Sequence, residues 1–319
     1  MNIIKLNDYL LSEEIREELE ILSTFEGQHV IQPEEVDLSD IVEQPGIQKG
    51  ESLPWENDLF YLRNGELTIW AGVNGHGKSL VVNQIILWRL KNQKALIASL
   101  EMKPEITLYR MICQYANCFP SIEFAKKIQN LLTGRLWIYE QIDSVAADRI
   151  LALCHYAAKK LKINHIVIDS LSKCGIRADD YDTEKNFVDR LHNAAKFYNI
   201  HIHLVCHIRK LDDETKIPSK FDVRGYGAIT DFADNVVIIW RNKKREQLKK
   251  TFNGALPSEK RDQKIFDLPG CFICVEKNRN GGVEGKIGLY ASPCGQFSRH
   301  ENKTLMTPFE EDQSAKTES

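Results

Sequence analysis

The fold is decided by residues 67–79, LTIWAGVNGHGKS, in which a short apolar run leads into a glycine-rich segment. The run 67–71 predicts a buried strand, and the residues from Lys78 onward predict a helix. Between them, GVNGHGKS at 72–79 satisfies the phosphate-loop pattern GxxxxGK[ST]. Glycines let the backbone curl so that successive N–H groups point at phosphate oxygens, and the helix start adds partial positive charge. The stretch therefore predicts a nucleotide-binding loop between a strand and a helix.

The members of this loop are expected to bind one phosphate chain together. Lys78 is expected to reach the β- and γ-phosphates, and the Ser79 hydroxyl is expected to hold Mg²⁺. A chance glycine-rich turn is the alternative, and the strand and helix predicted on either side argue against it. The sequence thus indicates ATP, or another nucleoside triphosphate, with Mg²⁺. The predicted nucleotide-binding residues are Gly72, Asn74, Gly75, His76, Gly77, Lys78 and Ser79.

From residue 65 onward, short apolar runs alternate with helical patterns. This alternation predicts an α/β fold with a mainly parallel sheet covered by helices on both faces. The last strands follow one another without long helices, so the sheet is expected to end in an antiparallel extension. The predicted strands are 67–71, 95–99, 136–139, 165–169, 201–206, 235–240, 272–275 and 286–289, and the predicted helices are 78–90, 106–117, 146–161 and 187–197.

Composition restricts the class of protein. The 319 residues are 43% hydrophobic and 27% charged, which is typical of a globular chain and excludes a disordered or fibrous one. The net charge of −3 excludes a protein that holds nucleic acid by bulk positive charge. No run approaches the roughly 18 apolar residues of a membrane span, and the N-terminal sequence lacks a signal-peptide pattern. We therefore expect a cytoplasmic protein without a membrane partner, in the host cytoplasm if a phage encodes it.

Eight cysteines in a chain of this length are too dilute for a disulfide framework. Cys154, Cys206, Cys271 and Cys274 lie in apolar segments and are expected to be reduced thiols of the core. The last two have CxxC spacing, but no second Cys or His pair stands at zinc-site distance. A β-strand is therefore favoured here over a metal or redox site.

Two acidic residues at strand ends indicate hydrolysis rather than binding alone. Asp169 ends an apolar strand and is expected at the sheet edge, where it would order the magnesium shell. Glu101 follows another strand, where a carboxylate polarises the attacking water. A helix cap is the alternative for both, and a surface position is a further alternative for Glu101. His207, at the end of a third strand, is a candidate sensor of the γ-phosphate, with a purely structural histidine as the alternative.

Five motifs occur in an order that resembles DnaB-like (superfamily 4) replicative hexameric helicases. They are GELTIWAGVNGHGKS (65–79), SLEM (99–102), HIVIDSL (165–171), DVRGYGAITDFADNV (222–236) and EKNRNGG (276–282). The resemblance is greatest to the helicase part of phage primase-helicases and of mitochondrial Twinkle, and it covers roughly residues 50–292. It implies a RecA-like P-loop ATPase core, a ring of six or seven identical subunits, and nucleotide hydrolysis coupled to movement along single-stranded DNA at a replication fork.

The resemblance also assigns roles to matching positions. The family's phosphate-loop Lys and Ser match Lys78 and Ser79. Its catalytic Glu matches Glu101, and its magnesium-associated Asp matches Asp169. His207 matches the γ-phosphate sensor, where many bacterial relatives carry Gln.

Two further sets of residues take roles only through the resemblance. Arg279, with Lys277 beside it, is expected to enter the site of the neighbouring subunit as an arginine finger that stabilises charge on the γ-phosphoryl oxygens. Without the resemblance, both look like ordinary solvated charges. The segment 222–228 matches loops that face the ring's channel, although Gly225 stands where bacterial relatives place an acid. The predicted DNA-binding residues are Arg224, Gly225, Tyr226 and Gly227, with a flexible backbone, and Tyr226 is expected either to stack on a base or to pack locally.

Three regions are predicted: an N-terminal helix and linker arm at 1–60, the RecA-like helicase ATPase domain at 61–300, and an acidic disordered tail at 301–319. In the arm, Ile15, Leu19 and Leu22 are spaced for one amphipathic helix, which packs either on its own domain or on a neighbouring subunit. The segment 241–270, which begins with the basic run 241–250, looks like an insertion, either a solvated loop or an auxiliary surface for DNA or a partner. The tail resembles those with which phage helicases engage their polymerase, so a DNA polymerase or primase is a candidate partner.

These observations predict an ATP-hydrolysing, ring-shaped DNA helicase. One alternative is a RecA-like recombinase or regulatory assembly protein that does not unwind DNA. Another is a nucleotide-gated helicase loader or accessory factor, and Glu101 argues against it.

Overall fold

A ten-stranded sheet forms the centre of the fold in the computed structural model, which describes residues 3–4, 50–55, 59–141, 143–177, 179–209, 213 and 215–301. The strands are β1 Ile3–Ile4, β2 Glu51–Ser52, β3 Tyr61–Leu62, β4 Leu67–Gly72, β5 Ala95–Ser99, β6 Leu136–Tyr139, β7 His165–Asp169, β8 His201–His207, β9 Asn235–Arg241, β10 Cys271–Asn278, β11 Gly285–Ala291 and β12 Phe297–Ser298. Two of these strands, β2 and β3, form a separate two-stranded sheet. The helices are α1 Lys78–Arg89, α2 Pro104–Ala116, α3 Ile122–Leu132, α4 Ala147–Lys159, α5 Tyr181–Tyr198, α6 Tyr226–Phe232, α7 Lys243–Thr251 and α8 Lys260–Phe266.

The order of the strands confirms a mainly parallel sheet with an antiparallel extension. The order is β1-β6-β5-β7-β8-β4-β9-β10-β11-β12, with parallel pairing from β1 to β9 and antiparallel pairing from β9 to β12. In this register Gly72 is paired with His207, and Ser99 is paired with Asp169. The carboxyl ends of β4, β5, β7 and β8 therefore meet at one edge of the sheet. Ligands of open α/β sheets bind at such an edge.

Apolar side chains cover both faces of the sheet, because the helices that connect parallel strands pack on both faces. One cluster packs α4 and α5 against the sheet, and the other packs α1 and α2 against it. The second cluster includes Leu53 and Trp55, which the sequence analysis places in the N-terminal arm. The Trp55 indole donates a hydrogen bond to the carbonyl of Phe297 at 2.9 Å. Leu53, Trp55 and Phe60 thus belong to the core of the domain.

The segment 242–270 contains two helices that the sequence analysis does not predict. Asn242 begins α7 by accepting a hydrogen bond from the Arg245 amide at 3.0 Å, and Leu248 buries its side chain. Helix α3 was missed as well, although Ser121 caps it through the Phe124 amide. Both caps are local signals of the kind that begin helices. The predicted amphipathic helix and the acidic tail after Glu301 lie outside the described residues.

The four cysteines expected in the core are buried free thiols. Burial raises the pKa of Cys154, Cys271 and Cys274 to about 12, so these thiols stay protonated. The CxxC pair lies within strand β10. Searched over the described ranges, the helices include none that is long and apolar enough to span a membrane.

Three histidines occupy the interior of the sheet beside one another. His165 Nδ1 and His203 Nε2 are joined by a hydrogen bond of 3.1 Å, and the Trp70 indole donates to His203 at 3.1 Å. His201 Nδ1 lies 2.6 Å from the carbonyl of Arg63. Burial lowers the pKa of all three histidines, and neighbouring charges, which include Arg89, act on it as well. The imidazoles are therefore neutral in the folded protein.

This histidine cluster predicts a loss of stability in mild acid. The unfolded chain takes up protons as the pH falls through about 6.5, whereas the folded chain resists them because its histidine pKa values are lower. The free energy of unfolding is expected to be constant above that pH and to fall below it, by up to about 1.4 kcal/mol per histidine and pH unit. Urea denaturation between about pH 7.5 and 5.5 measures it. The free energy of unfolding of the His203→Gln variant should depend less on pH. The control variant His300→Gln, at an exposed site, should keep the pH dependence of the wild type. Equal stability at the two pH values would contradict this prediction.

Candidate active site

Glycines shape the loop that joins β4 to α1. A Cβ atom on Gly72 would lie 2.4 Å from the carbonyl oxygen of Ile239, so only glycine permits β9 to pass this close. Gly77 precedes α1 with φ of 88°, in the left-handed region that favours glycine. The His76 ring is buried and accepts a hydrogen bond from the Arg241 amide at 3.1 Å. Its side chain therefore fixes the loop against β9, whereas Asn74 and Gly75 are exposed.

Lys78 holds its ammonium group inside this loop. Nζ donates hydrogen bonds to the carbonyls of Gly72 at 3.0 Å and Val73 at 3.3 Å. Burial lowers the pKa of Lys78, while the charges of Asp169 and Glu101 act in the opposite direction. The desolvated cation is placed where a phosphate would supply the missing negative charge.

Ser79 and Asp169 place two oxygen atoms side by side at the carboxyl end of the sheet. The Ser79 hydroxyl donates to Asp169 Oδ2 at 2.5 Å. Burial raises the pKa of Asp169, and the hydrogen bond from Ser79 and the charge of Lys78 oppose that shift. A hydroxyl and a carboxylate next to a phosphate loop match the oxygen ligands that Mg²⁺ takes from proteins. These two residues fit the cation that the sequence implies.

Glu101 lies at the same edge within a group of three polar side chains. The Ser170 hydroxyl donates to Glu101 Oε1 at 2.6 Å, and His207 Nε2 lies 3.4 Å from the same oxygen. The hydrogen bond from His207 is the largest influence on Glu101, burial opposes it, and the net result lowers the pKa of this carboxyl to about 2. Glu101 is therefore ionised at neutral pH and can accept a hydrogen bond from a water molecule.

Ser170 was missed by the sequence analysis. It follows Asp169 directly and is fully buried, and its hydroxyl also lies 2.7 Å from the Ser172 hydroxyl and 3.3 Å from His207 Nε2. A polar residue directly after the last acid of a buried strand was the available signal. It was not sufficient, because the contact with Glu101 depends on the pairing of β5 with β7.

The segment predicted to bind DNA is attached to the end of β8. The Arg224 amide donates to the carbonyl of His207 at 3.1 Å, and Ile208 forms an antiparallel bridge with Val223. The side chain of Arg224 is exposed. Gly225 has φ of 75°, in the left-handed region that favours glycine, and a Cβ atom there would lie 2.7 Å from Glu184 Oε2, so that side chain would have to move. The candidate sensor and the segment 222–225 are therefore directly connected.

Two of the residues 225–227, for which the sequence predicts a flexible backbone, lie in a helix. Tyr226 and Gly227 form the first turn of α6. Gly225, in its left-handed conformation, begins this helix, and the helix continues to Phe232. Any contact that these residues make with DNA is thus made from a helix start.

Lys277 and Arg279 lie far from the rest of the candidate site. Arg279 Nη1 donates to Asp234 Oδ1 at 3.1 Å, and Asp234 Oδ2 accepts from the amide of Leu67, the first residue of β4. The phosphate loop begins at the other end of this six-residue strand. At about 3.3 Å per residue, the two ends are roughly 17 Å apart. The structure therefore brings the loop, Glu101, Asp169 and His207 together, and it leaves the two cations at the opposite edge.

Comparison with known proteins gives a matching family and a relative among characterised proteins. Residues 57–299 match the family of DnaB-like helicase C-terminal domains. A DNA helicase/primase of Enterobacteria phage T3 is 28% identical over 207 residues, which cover 57% of this chain and 36% of that protein. The chain thus spans little more than a third of the length of this relative.

Two solved structures share the fold. A DnaB-like replicative helicase, described with its interactions with primase, superposes with a TM-score of 0.62 at 14% identity, covering 92% of this chain and 73% of that one. The second structure is an ATPase domain, which superposes with a TM-score of 0.59 at 14% identity, covering 94% of this chain and all of that one. Both likenesses confirm the RecA-like α/β fold predicted from the sequence.

Proposed function

Because the chain belongs to the family of DnaB-like helicase C-terminal domains, we propose that it is an ATP-dependent DNA helicase that assembles into a ring and moves along single-stranded DNA at a replication fork. The observation that carries this proposal is the division of the candidate site. The phosphate loop lies with Glu101, Asp169 and His207 at the carboxyl end of β4, and we call this group the nucleotide edge. Arg279, the candidate finger, lies at the amino end of β4. If the nucleotide edge of one copy of the chain meets Arg279 of a second copy, the two groups form one site.

Each residue of the nucleotide edge has a chemical task in this proposal. The amides of the glycine-rich loop and Lys78 bind the phosphate chain of ATP or another triphosphate. Ser79 and Asp169 would hold Mg²⁺, which would supply positive charge to the phosphate chain. Glu101, held by Ser170, orients and polarises the attacking water, and His207 contacts the γ-phosphate.

The finger residues require an assembly. Since Arg279 lies roughly a strand length away from the loop of its own chain, it acts on the nucleotide of the adjacent subunit. A closed ring of six or seven copies gives every nucleotide such a neighbour. Hydrolysis per subunit is therefore expected to fall when the protein is diluted below the concentration at which rings persist.

Single-stranded DNA is the proposed substrate track, and Arg224 supplies the charge that follows its phosphates. The backbone of Arg224 is hydrogen-bonded to that of His207. This contact supports a link between the state of the nucleotide and the position of the segment 222–225. The three-part division of the chain at residues 60 and 300 belongs to this proposal, as does the acidic tail as a contact for a DNA polymerase or primase.

Two other functions remain as outcomes of the test. A recombinase or assembly protein would hydrolyse ATP on single-stranded DNA without displacing a strand. A loader or accessory factor would bind ATP tightly and hydrolyse almost none. The match to the helicase family favours neither of them.

The test is strand displacement on a forked DNA substrate with ATP and Mg²⁺. The wild-type protein is expected to separate the strands. The Glu101→Gln variant is expected to bind ATP but to hydrolyse it about 10²-fold more slowly, and to displace no strand, because the water loses its carboxylate. Glu105→Gln, at an exposed position of α2, is the matched control and should behave as wild type. ATP hydrolysis by the wild type without strand displacement would reject the helicase assignment.

A further inference from the structure

Asp234 is a buried carboxylate that the proposed mechanism does not use. Its side chain is 4% exposed and contacts three separate elements. Oδ2 accepts a hydrogen bond from the Leu67 amide at 2.9 Å and lies 3.2 Å from Nε2 of His192 on α5. Oδ1 accepts from Nη1 of Arg279 at 3.1 Å. The carboxylate therefore ties Arg279 to the first residue of β4 and to α5.

The charge of Asp234 persists despite burial. Burial acts to raise the pKa of Asp234, but the hydrogen bonds from His192 and from the Leu67 amide, together with the charge of Arg279, lower it below its ordinary value. An ionised carboxylate forms stronger hydrogen bonds to a guanidinium than a neutral acceptor does.

The carboxyl end of α6 provides the remaining support for both cations. Arg279 Nη2 donates to the carbonyl of Asp231 at 3.1 Å, and the Arg279 amide donates to the carbonyl of Asp234 at 2.9 Å. Lys277 Nζ donates to the carbonyls of Thr230 at 2.8 Å and Asp231 at 3.1 Å. These carbonyls form the negative end of the helix dipole, which attracts cations.

The contacts of Arg279 with Asp234 and Asp231 leave other N–H groups of its guanidinium available to bind an anion. A guanidinium carries five N–H groups, and the contacts named here use one on Nη1 and one on Nη2. The side chain of Arg279 is 42% exposed, so part of the group faces outward. A free arginine would lose rotamer entropy on entering a neighbouring site, and a side chain fixed beforehand loses less.

We propose that Asp234 is a positioning residue: it holds the guanidinium of Arg279 in the orientation in which that group enters the nucleotide site of the adjacent subunit. The inference rests on the proposed role of Arg279. In this role Asp234 acts through Arg279 and not on the nucleotide or the DNA itself.

The direct test is Asp234→Asn, which preserves shape and one acceptor but removes the negative charge. DNA-stimulated kcat is expected to fall about tenfold, as expected when a hydrogen bond loses its charge assistance. KM for ATP should remain unchanged, because the phosphate loop lies at the other end of β4. Asp267→Asn is the matched control, because it removes the charge of an exposed aspartate that follows α8 and is not part of the support of Arg279. It should keep kcat within about twofold.

A double-mutant cycle distinguishes positioning from a general structural effect. In the Arg279→Ala background, Asp234→Asn should cause no further loss of kcat, since nothing remains to be positioned. An equal fall in both backgrounds, or no fall in either, overturns the inference. Full hydrolysis by Arg279→Ala alone overturns instead the proposed function of Arg279, so the two failures differ.

A second variant covers the case in which Asp234→Asn does not fold. His192→Phe keeps a ring in the buried position and removes the hydrogen bond to Asp234. It should lower kcat by a smaller factor than Asp234→Asn, and this loss too should vanish when Arg279 is alanine. A loss that persists in that background overturns the inference.

Discussion

The Arg279→Ala variant is expected to hydrolyse ATP about 10³-fold more slowly than the wild type in the presence of single-stranded DNA, while it still binds nucleotide and still forms rings. Negative charge spreads over the γ-phosphoryl oxygens in the transition state, and a fixed guanidinium stabilises it. Binding should survive, because Lys78 and the glycine-rich loop lie at the other end of β4. The rate of ATP hydrolysis with single-stranded DNA, the affinity for nucleotide and the mass of the particle in solution measure these three expectations.

Mixing two inactive variants tests whether the finger acts between subunits. Arg279→Ala retains an intact phosphate loop, and Lys78→Ala retains an intact finger. Where an Arg279→Ala subunit binds the nucleotide and a Lys78→Ala neighbour supplies Arg279, the shared site is complete. Mixed rings should therefore regain hydrolysis that neither variant has alone. Arg261→Ala, which removes an exposed arginine of α8, is the control and should remain fully active. Full DNA-stimulated hydrolysis by Arg279→Ala would falsify the finger assignment.

The Lys78→Ala variant is expected to lose turnover completely, to less than about 10⁻³ of the wild-type rate. The ammonium is the cation inside the phosphate loop, and burial has already removed part of its hydration. Without it, the charge on the β- and γ-phosphates lacks its nearest protein partner.

A matched lysine variant separates this loss from a general effect of charge. Lys91→Ala removes an exposed lysine just beyond α1, and it should leave kcat and KM for ATP unchanged. Hydrolysis and the binding of a labelled nucleotide measure both variants. If Lys78→Ala retained a tenth of the wild-type turnover or more, the assignment of residues 72–79 as the catalytic phosphate loop would be wrong.

Local patterns in the sequence were sufficient for the nucleotide edge of the fold. The phosphate loop is continuous in the chain, so its spacing alone predicts how Lys78 and Ser79 follow the glycines. Asp169 and His207 end apolar strands, and parallel strands bring their carboxyl ends to one edge. Once the alternation of strands and helices indicated a parallel sheet, the meeting of these residues followed.

Local patterns were less informative for short helices and for the boundary between the N-terminal arm and the ATPase domain. Helices α7 and α8 were not predicted, because short polar segments carry a weak helical period; in α7 the burial of Leu248 compensates for it. Helix α3 was missed although its buried residues Ile128 and Leu132 are spaced at a helical i, i+4 interval. Trp55 was placed in a linker, since the prolines and glycines around it resemble one, yet the side chain is buried against Phe297.

The sequence by itself determined the fold class, the phosphate loop and the acids that follow the strands, because these depend on spacing within a few residues. Only the tertiary structure decided that Ser170 holds Glu101, that His207 adjoins the segment before Gly225, and that Arg279 rests on Asp234 at the edge away from the loop. Each of these contacts joins residues that are distant in the chain or lie on different elements. Their proximity follows from the order and direction of the strands, which side-chain periodicity does not encode.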